Sequence, residues 1–497
     1  MASLKISYVS SRLFRHAALP LLAAASLLAC DDASGGTPGA PARDPIAFDA
    51  GVPVVMSVRA VCRLASDTPG AIAANITGAD GSQSAVAGGR SYWFFGDTVR
   101  RAADRQDVIP AAVATTTDVD ARDCLDLEFK TENGSVTPMF PRREETTAWP
   151  DGVLALDDGS ILFYMVKAIR TSPFAWHVGG VGLGRVPPGS LEGERIAETI
   201  WDENSGFGQR VVGVRSPVRV GDDVIVYMHT EDDSNYVAKA PLARISEFAA
   251  YVYWDGEDWS PDPALAEPMW HTAPDPYDFP ADNGVQVSFD ERSGLWIAVF
   301  NTTMASTDVR TADNPWGPWS EPVRWFDCRP LVLDRYPYCY TGELHRQLSR
   351  DAGETMYMTI SSQEPYDVTL LELHMATAIR EWRSANGALR YAAASPGAGY
   401  EDRGVAFFAS AKAAPGLAPV YERADGDGFA YALDAPSASS TPAFYAYSTF
   451  ASGPVATIAV TESNVDGARR LIAGGDGTAR FHVPCVRVEC PESSAAP

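Results

Sequence analysis

Carboxylates recur at matching places along this chain of 497 residues. Asp80 stands in "ITGADGSQSAVAGGRSYWFFGDT", ahead of a Gly-Gly turn and an aromatic run, and Asp97 closes the same stretch. Asp151 stands in "WPDG", Asp282 beside Asn283 in "PADNGVQ", and Glu343 near His345 in "TGELHRQL". At the corresponding place, "GFGQRVVG" offers Gln209 and Arg210. Aspartate before a turn is ordinary turn chemistry, so it is the recurrence that suggests a site. Two carboxylates across a sugar are what glycoside hydrolysis needs. One is held protonated to donate to the leaving oxygen; the other stays ionised to attack the anomeric carbon or activate water. Crowding several carboxylates raises some of their pKa values, and an arginine such as Arg210 lowers those of its neighbours. Trp149, Tyr336, Tyr338 and Tyr340 offer faces on which sugars stack, though aromatics in strands also serve as core.

The elements that must position these groups repeat five times. "SAVAGGRSYWFFGDT", "GVLALDDGSILFYMVKA", "SPVRVGDDVIVYMHT", "VSFDERSGLWIAVFNT" and "QLSRDAGETMYMTIS" each read as a short strand, a Gly/Asp-rich turn and a strongly apolar strand. Aligned on Tyr92, Ile161, Ile225, Trp296 and Met356, they follow one another at intervals of 69, 64, 71 and 60 residues. Third and fourth strands come from runs such as "AAVATTT", "VTLLELHMA" and "NPWGPWSEPV". Short alternating strands with turns between them predict an all-β fold. A unit of three to four strands used five times predicts a five-bladed β-propeller over residues 51–383. A β-sandwich array would explain the hairpins but not the period. A propeller's first strands line its centre. The polar groups about ten to sixteen residues before each apolar anchor would then converge on one axis.

Beyond about Glu381 the pattern changes. "GYEDRGVAFFAS", "LAPVYERADGDGFAYAL" and "STPAFYAYSTF" predict a smaller β-rich module over residues 384–497. It resembles, in degenerate form, accessory modules attached to secreted bacterial hydrolases.

The first thirty residues read as a leader. Lys5, Arg12 and Arg15 precede an apolar run from Ala17 to Ala29, too short to span a bilayer. The run ends in "LLAC", which resembles the bacterial lipobox, with Cys30 as the lipidated residue. Residues 31–50 then form a flexible tether. The chain is expected in the bacterial cell envelope as a membrane-anchored lipoprotein, on its periplasmic or surface face, and as a monomer. Its net charge of −24 excludes nucleic acid and anionic lipid as general partners. Six further cysteines in an exported chain predict disulfides. Short separations favour Cys328–Cys339 and Cys485–Cys490, which leaves Cys62 with Cys124. Dinucleotide and P-loop fingerprints are missing from the sequence. A central calcium suits the carboxylates and amide oxygens, although no loop has EF-hand spacing; no other cofactor or metal is expected.

"GADGSQSAVAGGRSYWFFGDTV", "WPDGVLALDDG", "NPWGPWSEPV" and "ELHRQLSRDAGETMYMTIS" resemble domain-of-unknown-function family 4185, from about Val61 to Met375. That family is similar to five-bladed furanosidases, and some members are endo-D-arabinanases. The resemblance implies a glycoside hydrolase acting on a furanose-containing, arabinan-type polysaccharide. It places Asp80 where the wider class has its base or nucleophile, and Asp151 where it has an orienting, pKa-tuning aspartate. The third-blade acid has no match: Gln209 and Arg210 stand there, and the nearest carboxylate is Glu203 upstream. Glu343, Asp282 or Glu203 would supply the acid, while Trp149, Arg210, Asp282, Asn283, His345 and Tyr340 would bind the sugar. His345 matches a fifth-blade histidine, but Arg346 follows it where the family has proline. The rival reading is a non-catalytic glycan-binding protein that uses the same centre.

Overall fold

A computed structural model describes residues 51–486, apart from 102–105, 141–145, 173–174, 203, 208–209, 233, 271–284, 303–305, 333–338, 427, 451–452, 466–467 and 476–477. The expected leader, the lipidated Cys30 and the tether lie outside the described residues.

The fold is all-β. Five antiparallel sheets follow one another, each led by a strand from one repeat. The first sheet runs Gln83–Ala87, Arg90–Phe95, Ala112–Thr116, Glu128–Phe129. The second runs Thr146–Ala155, Ile161–Ser172, Ala175–Val186, Glu194–Trp201. The third leads with Val211–Val220 and Asp223–Thr230 and ends in the hairpin Val252–Trp254 and Trp259–Ser260. The fourth runs Gln286–Asp290, Leu295–Thr302, Ser306–Ala312, Val323–Asp327. The fifth runs Cys339–Leu344, Thr355–Gln363, Tyr366–Met375, and its outer strand is Val55–Arg63 from the other end of the chain. That return strand covers an edge that would otherwise present unpaired backbone groups.

The second strand of each sheet is apolar on both faces because both faces are covered. Tyr92 and Phe94 enter a core shared with Ile161, Phe163 and Met165 of the second sheet. Trp93 and Phe95, pointing the other way, meet Tyr357, Val368 and Leu370 of the fifth. Leu162 and Tyr164 pack with Val224, Val226 and Met228. Ile225 and Tyr227 pack with Ala298 and Phe300. Ile297 and Val299 pack with Met356, Met358 and Ile360. A strand alternates its side chains between faces, so each anchor strand serves two neighbouring cores. Five cores thus link five sheets in cyclic order.

Three three-stranded sheets follow from Thr377 onward, centred on Thr377–Ser384, Ala418–Asp425 and Thr457–Val465. They share one core, in which the Phe407 and Phe444 rings lie 5.5 Å apart with Phe481 against both. Val54, Met56, Ala376 and Phe408 join this region to the five sheets. Cys328 is bonded to Cys339, as their spacing predicts, and Cys62 to Cys124, the pair that remained. Cys485 is also disulfide-bonded, and Cys490 lies outside the described residues.

Candidate functional site

Three leading strands break register at the residues that carry charge. The second sheet's ladder slips between Asp151 and Val153, the third's between Arg215 and Val218, the fifth's between Tyr340 and Glu343. Such bulges bend a strand and re-aim its side chains. Gly152 sits in the first of them at φ +34°, and a Cβ there would stand 2.5 Å from the Val214 carbonyl oxygen. Glycine therefore lets the second strand approach the third closely enough for Asp151 to cross over.

The bulged residues meet. Arg215 Nε lies 2.8 Å from Asp151 Oδ1, and its other arm lies 2.7 Å from Glu343 Oε1. Asp151 also accepts from Gln83 Nε2 at 2.8 Å and from the Val214 amide at 2.9 Å. Asp151 is 4% exposed and Glu343 5%. Burial pushes the Asp151 carboxyl above its usual range, against the pull of Arg215 and the Val214 amide. Burial likewise lifts Glu343 to about 7; Arg215 opposes the rise and the Asp151 charge adds to it. Arg215 is largely but not fully buried, its side chain 15% exposed; that burial works against its charge, yet the two carboxylates outweigh it and raise its pKa. Gln286 brackets the strand beside Glu343: its Nε2 donates to the Leu344 carbonyl at 2.9 Å and its Oε1 accepts from the Leu344 amide.

Asp80 precedes the first sheet and is half-buried. Tyr340 Oη donates to its Oδ2 at 3.1 Å. Burial raises its pKa, opposed by hydrogen bonds from Tyr366 and Tyr340 and by the charge of Arg215. A Cβ at Gly96 would collide with the Asp80 carboxylate, so the glycine of "FGDT" is what lets Asp80 lie there. Asp97 does more than close the hairpin. It accepts from Trp149 Nε1 at 2.8 Å, tying the first sheet to the second.

The structure thus brings together Asp80, Asp151, Glu343, Tyr340 and, through Asp97, Trp149. His345 is 1% exposed and faces inward. Its ring nitrogens bond Ser84 Oγ at 2.6 Å and Thr359 Oγ1 at 2.8 Å, and Trp93 packs 4.3 Å from its ring. Burial pushes His345 down to about 3, so it is neutral and joins the first sheet to the fifth rather than facing a sugar. Arg210 is 3.9 Å from Glu231; the arginine between the carboxylates is Arg215. Glu203, Gln209, Asp282, Asn283, Tyr336 and Tyr338 lie outside the described residues.

Sequence reasoning missed Gln83, Arg215, Gln286 and Tyr366. Arg215 stands ten residues before Ile225, as Asp151 stands ten before Ile161 and Gln286 ten before Trp296. A strict offset finds all three, whereas a loose window settles on Arg210. His229, paired with Gly213 across the third sheet, is also buried nearby and pushed down to about 4, chiefly by burial and then by Arg215. Among the described residues, no group of three or more His, Cys, Asp or Glu side chains is placed to hold a metal ion.

The family model described as Domain of unknown function (DUF4185) matches residues 66–372. No curated protein matches the chain. Among solved structures, a putative hydrolase from Bacteroides ovatus is 13% identical, with TM-score 0.47 over 62% of this chain and 87% of its own. An α-L-arabinofuranosidase from Podospora anserina is 11% identical, with TM-score 0.39 over 65% of this chain and 98% of its own. A family 117 glycoside hydrolase from Zobellia galactanivorans is 10% identical, with TM-score 0.41 over 66% and 92%.

Proposed function

The chain belongs to the family described as Domain of unknown function (DUF4185), and we propose that within it this protein is a glycoside hydrolase acting on a furanose-containing, arabinan-type polysaccharide. The five sheets are read as blades of one propeller, the five shared cores supporting its closure. The observation that carries the reading is three convergent carboxylates with one guanidinium among them, Glu343 raised to about 7. Glu343 holds a proton near neutral pH and donates it to the leaving glycosidic oxygen. Asp80, the most open of the three, attacks the anomeric carbon or takes a proton from water, and the hydroxyl of Tyr340 fixes its direction. Asp151 anchors Arg215 and through it orients Glu343. Trp149 offers a partly exposed face beside them. Lipidation at Cys30 would hold the enzyme in the bacterial envelope, where such polymers are met.

One observation favours glycan binding without hydrolysis: Arg215 engages the Glu343 oxygen at 2.7 Å. Reducing-end release from arabinans, galactans and other furanose polysaccharides decides between the two readings. The parent is compared with Asp80→Asn and Glu343→Gln at matched melting temperature. Release that collapses in both variants makes this an enzyme. Saturable binding with no release makes it a lectin-like protein.

A further inference from the structure

We propose a second carbohydrate-binding surface on the outer seam between the third and fourth sheets, one that takes a neutral polysaccharide by stacking. It deepens the reading above, since the same polymer would be held there, away from the carboxylates. Half of the chain's 12 tryptophans pack against the single apolar core that these two sheets share. Trp254 and Trp259 come from the last hairpin of the third sheet. Trp316 comes from "NPWGPWSEPV", a motif the catalytic site leaves unused. The ring centroids of these three lie 5.3, 5.9 and 5.7 Å apart, and all three are partly exposed. The turn is pinned: Tyr227 Oη donates to the Pro315 carbonyl at 2.7 Å. Lys239 Nζ stands 4.4 Å above the Trp259 ring, adding a donor at the edge of the platform.

Two further indoles of the same core back the platform. Trp270 and Trp319 lie 6.1 Å apart, and the N–H of each is buried without a hydrogen-bond partner. The partly exposed faces of Trp254, Trp259 and Trp316 match the C–H face of a sugar, and the Lys239 ammonium over Trp259 is placed to donate to its hydroxyls. The surrounding charge selects the polymer. Glu257, Asp258 and Asp313 are exposed around the platform, so an anionic chain is repelled and a neutral one is not. A polymer that reaches both surfaces is held at higher effective concentration than one that reaches either alone.

The test is retention of the full protein on native gels containing linear arabinan, xylan or galactan. The parent is expected to be retarded on at least one, and Trp254→Ala/Trp316→Ala to lose about tenfold in affinity. Release from a short arabino-oligosaccharide, too small to span both surfaces, stays unchanged in that variant. Asp80→Asn keeps its retention, which separates this inference from the catalytic one: a protein with no hydrolysis at all still shows it. If Trp254→Ala/Trp316→Ala melts early, N-bromosuccinimide oxidation of the parent replaces it, and the polymer is expected to slow modification of Trp254 and Trp316. The inference is overturned by a parent that none of the three polymers retards. It is equally overturned by retention that Asp80→Asn abolishes and the tryptophan variant keeps, or by oxidation that the polymer does not slow.

Discussion

Two regions of this molecule bury carboxylates with arginine and tyrosine around them, and they differ in how the charges balance. In the C-terminal region Glu381 accepts from Arg470 Nε and Tyr391 Oη, each at 2.8 Å. Glu422 pairs with Arg390 at 2.8 Å and accepts from Tyr431 Oη at 2.6 Å. There each carboxylate has its own arginine. At the meeting point of the five sheets Arg215 is shared between Asp151 and Glu343, and Asp80 is held by the Tyr340 hydroxyl. The same side chains therefore make a structural clasp in one place and a surplus of negative charge in the other. A balanced pair has no reason to exchange a proton. An unbalanced cluster in a poorly hydrated centre must, because burial penalises every additional charge.

Removing the proton donor breaks the comparison most sharply. Glu343→Gln should lower turnover roughly a hundred- to ten-thousand-fold, the range expected for a general acid. Glu381→Gln should leave turnover unchanged and cost only stability. Equal turnover in the parent and Glu343→Gln would remove the distinction between the two regions.

Taking away the arginine is next in size. Arg215→Met leaves two buried carboxylates without a counter-charge and should cost about 3–5 kcal/mol, read from urea unfolding. Arg470→Met leaves Glu381 with its tyrosine and should cost about 1–3 kcal/mol. The reverse order would mean that the sheets' centre is better solvated than its burial indicates.

The pH dependence follows from the shifts at Glu343 and His345. Glu343 rises from 4.5 to about 7 on folding. Its contribution to stability is complete below 4.5 and is lost as pH rises toward 7, and Glu343→Gln should abolish that slope. Activity should fall as pH climbs through about 7, where the acid loses its proton. His345 shifts the other way, from 6.5 to about 3, so its contribution is present above 6.5 and lost as pH falls toward 3. Melting temperature against pH, with and without Glu343→Gln, separates the two.

The smallest effect is expected from the tyrosines. Tyr340→Phe removes one hydrogen bond to Asp80 and should cost about 0.5–1.5 kcal/mol, together with a shift in the acidic limb of the activity profile, because the hydroxyl favours the ionised carboxylate. Tyr391→Phe should cost a similar amount of stability and shift no activity profile.

The sequence alone determined the elements. Tyr92, Ile161, Ile225, Trp296 and Met356 mark strands whose two faces are both buried, and a strand covered on both sides carries apolar residues on both. That signal is local and repeats, so it can be read without coordinates. Asp80, Asp151 and Glu343 were legible as members of the repeat, and the near cysteine pair Cys328–Cys339 from its spacing. The tertiary structure decided which polar groups meet. Arg215 reaches two carboxylates only because bulges at Gly152, Ser216 and Thr341 turn three strands off their regular alternation, and at Ser216 and Thr341 no residue type announces the bulge. His345 is fixed as an inward brace by Ser84, 261 positions away. Partnerships across such distances depend on how sheets pack against one another, and no window of sequence contains both partners.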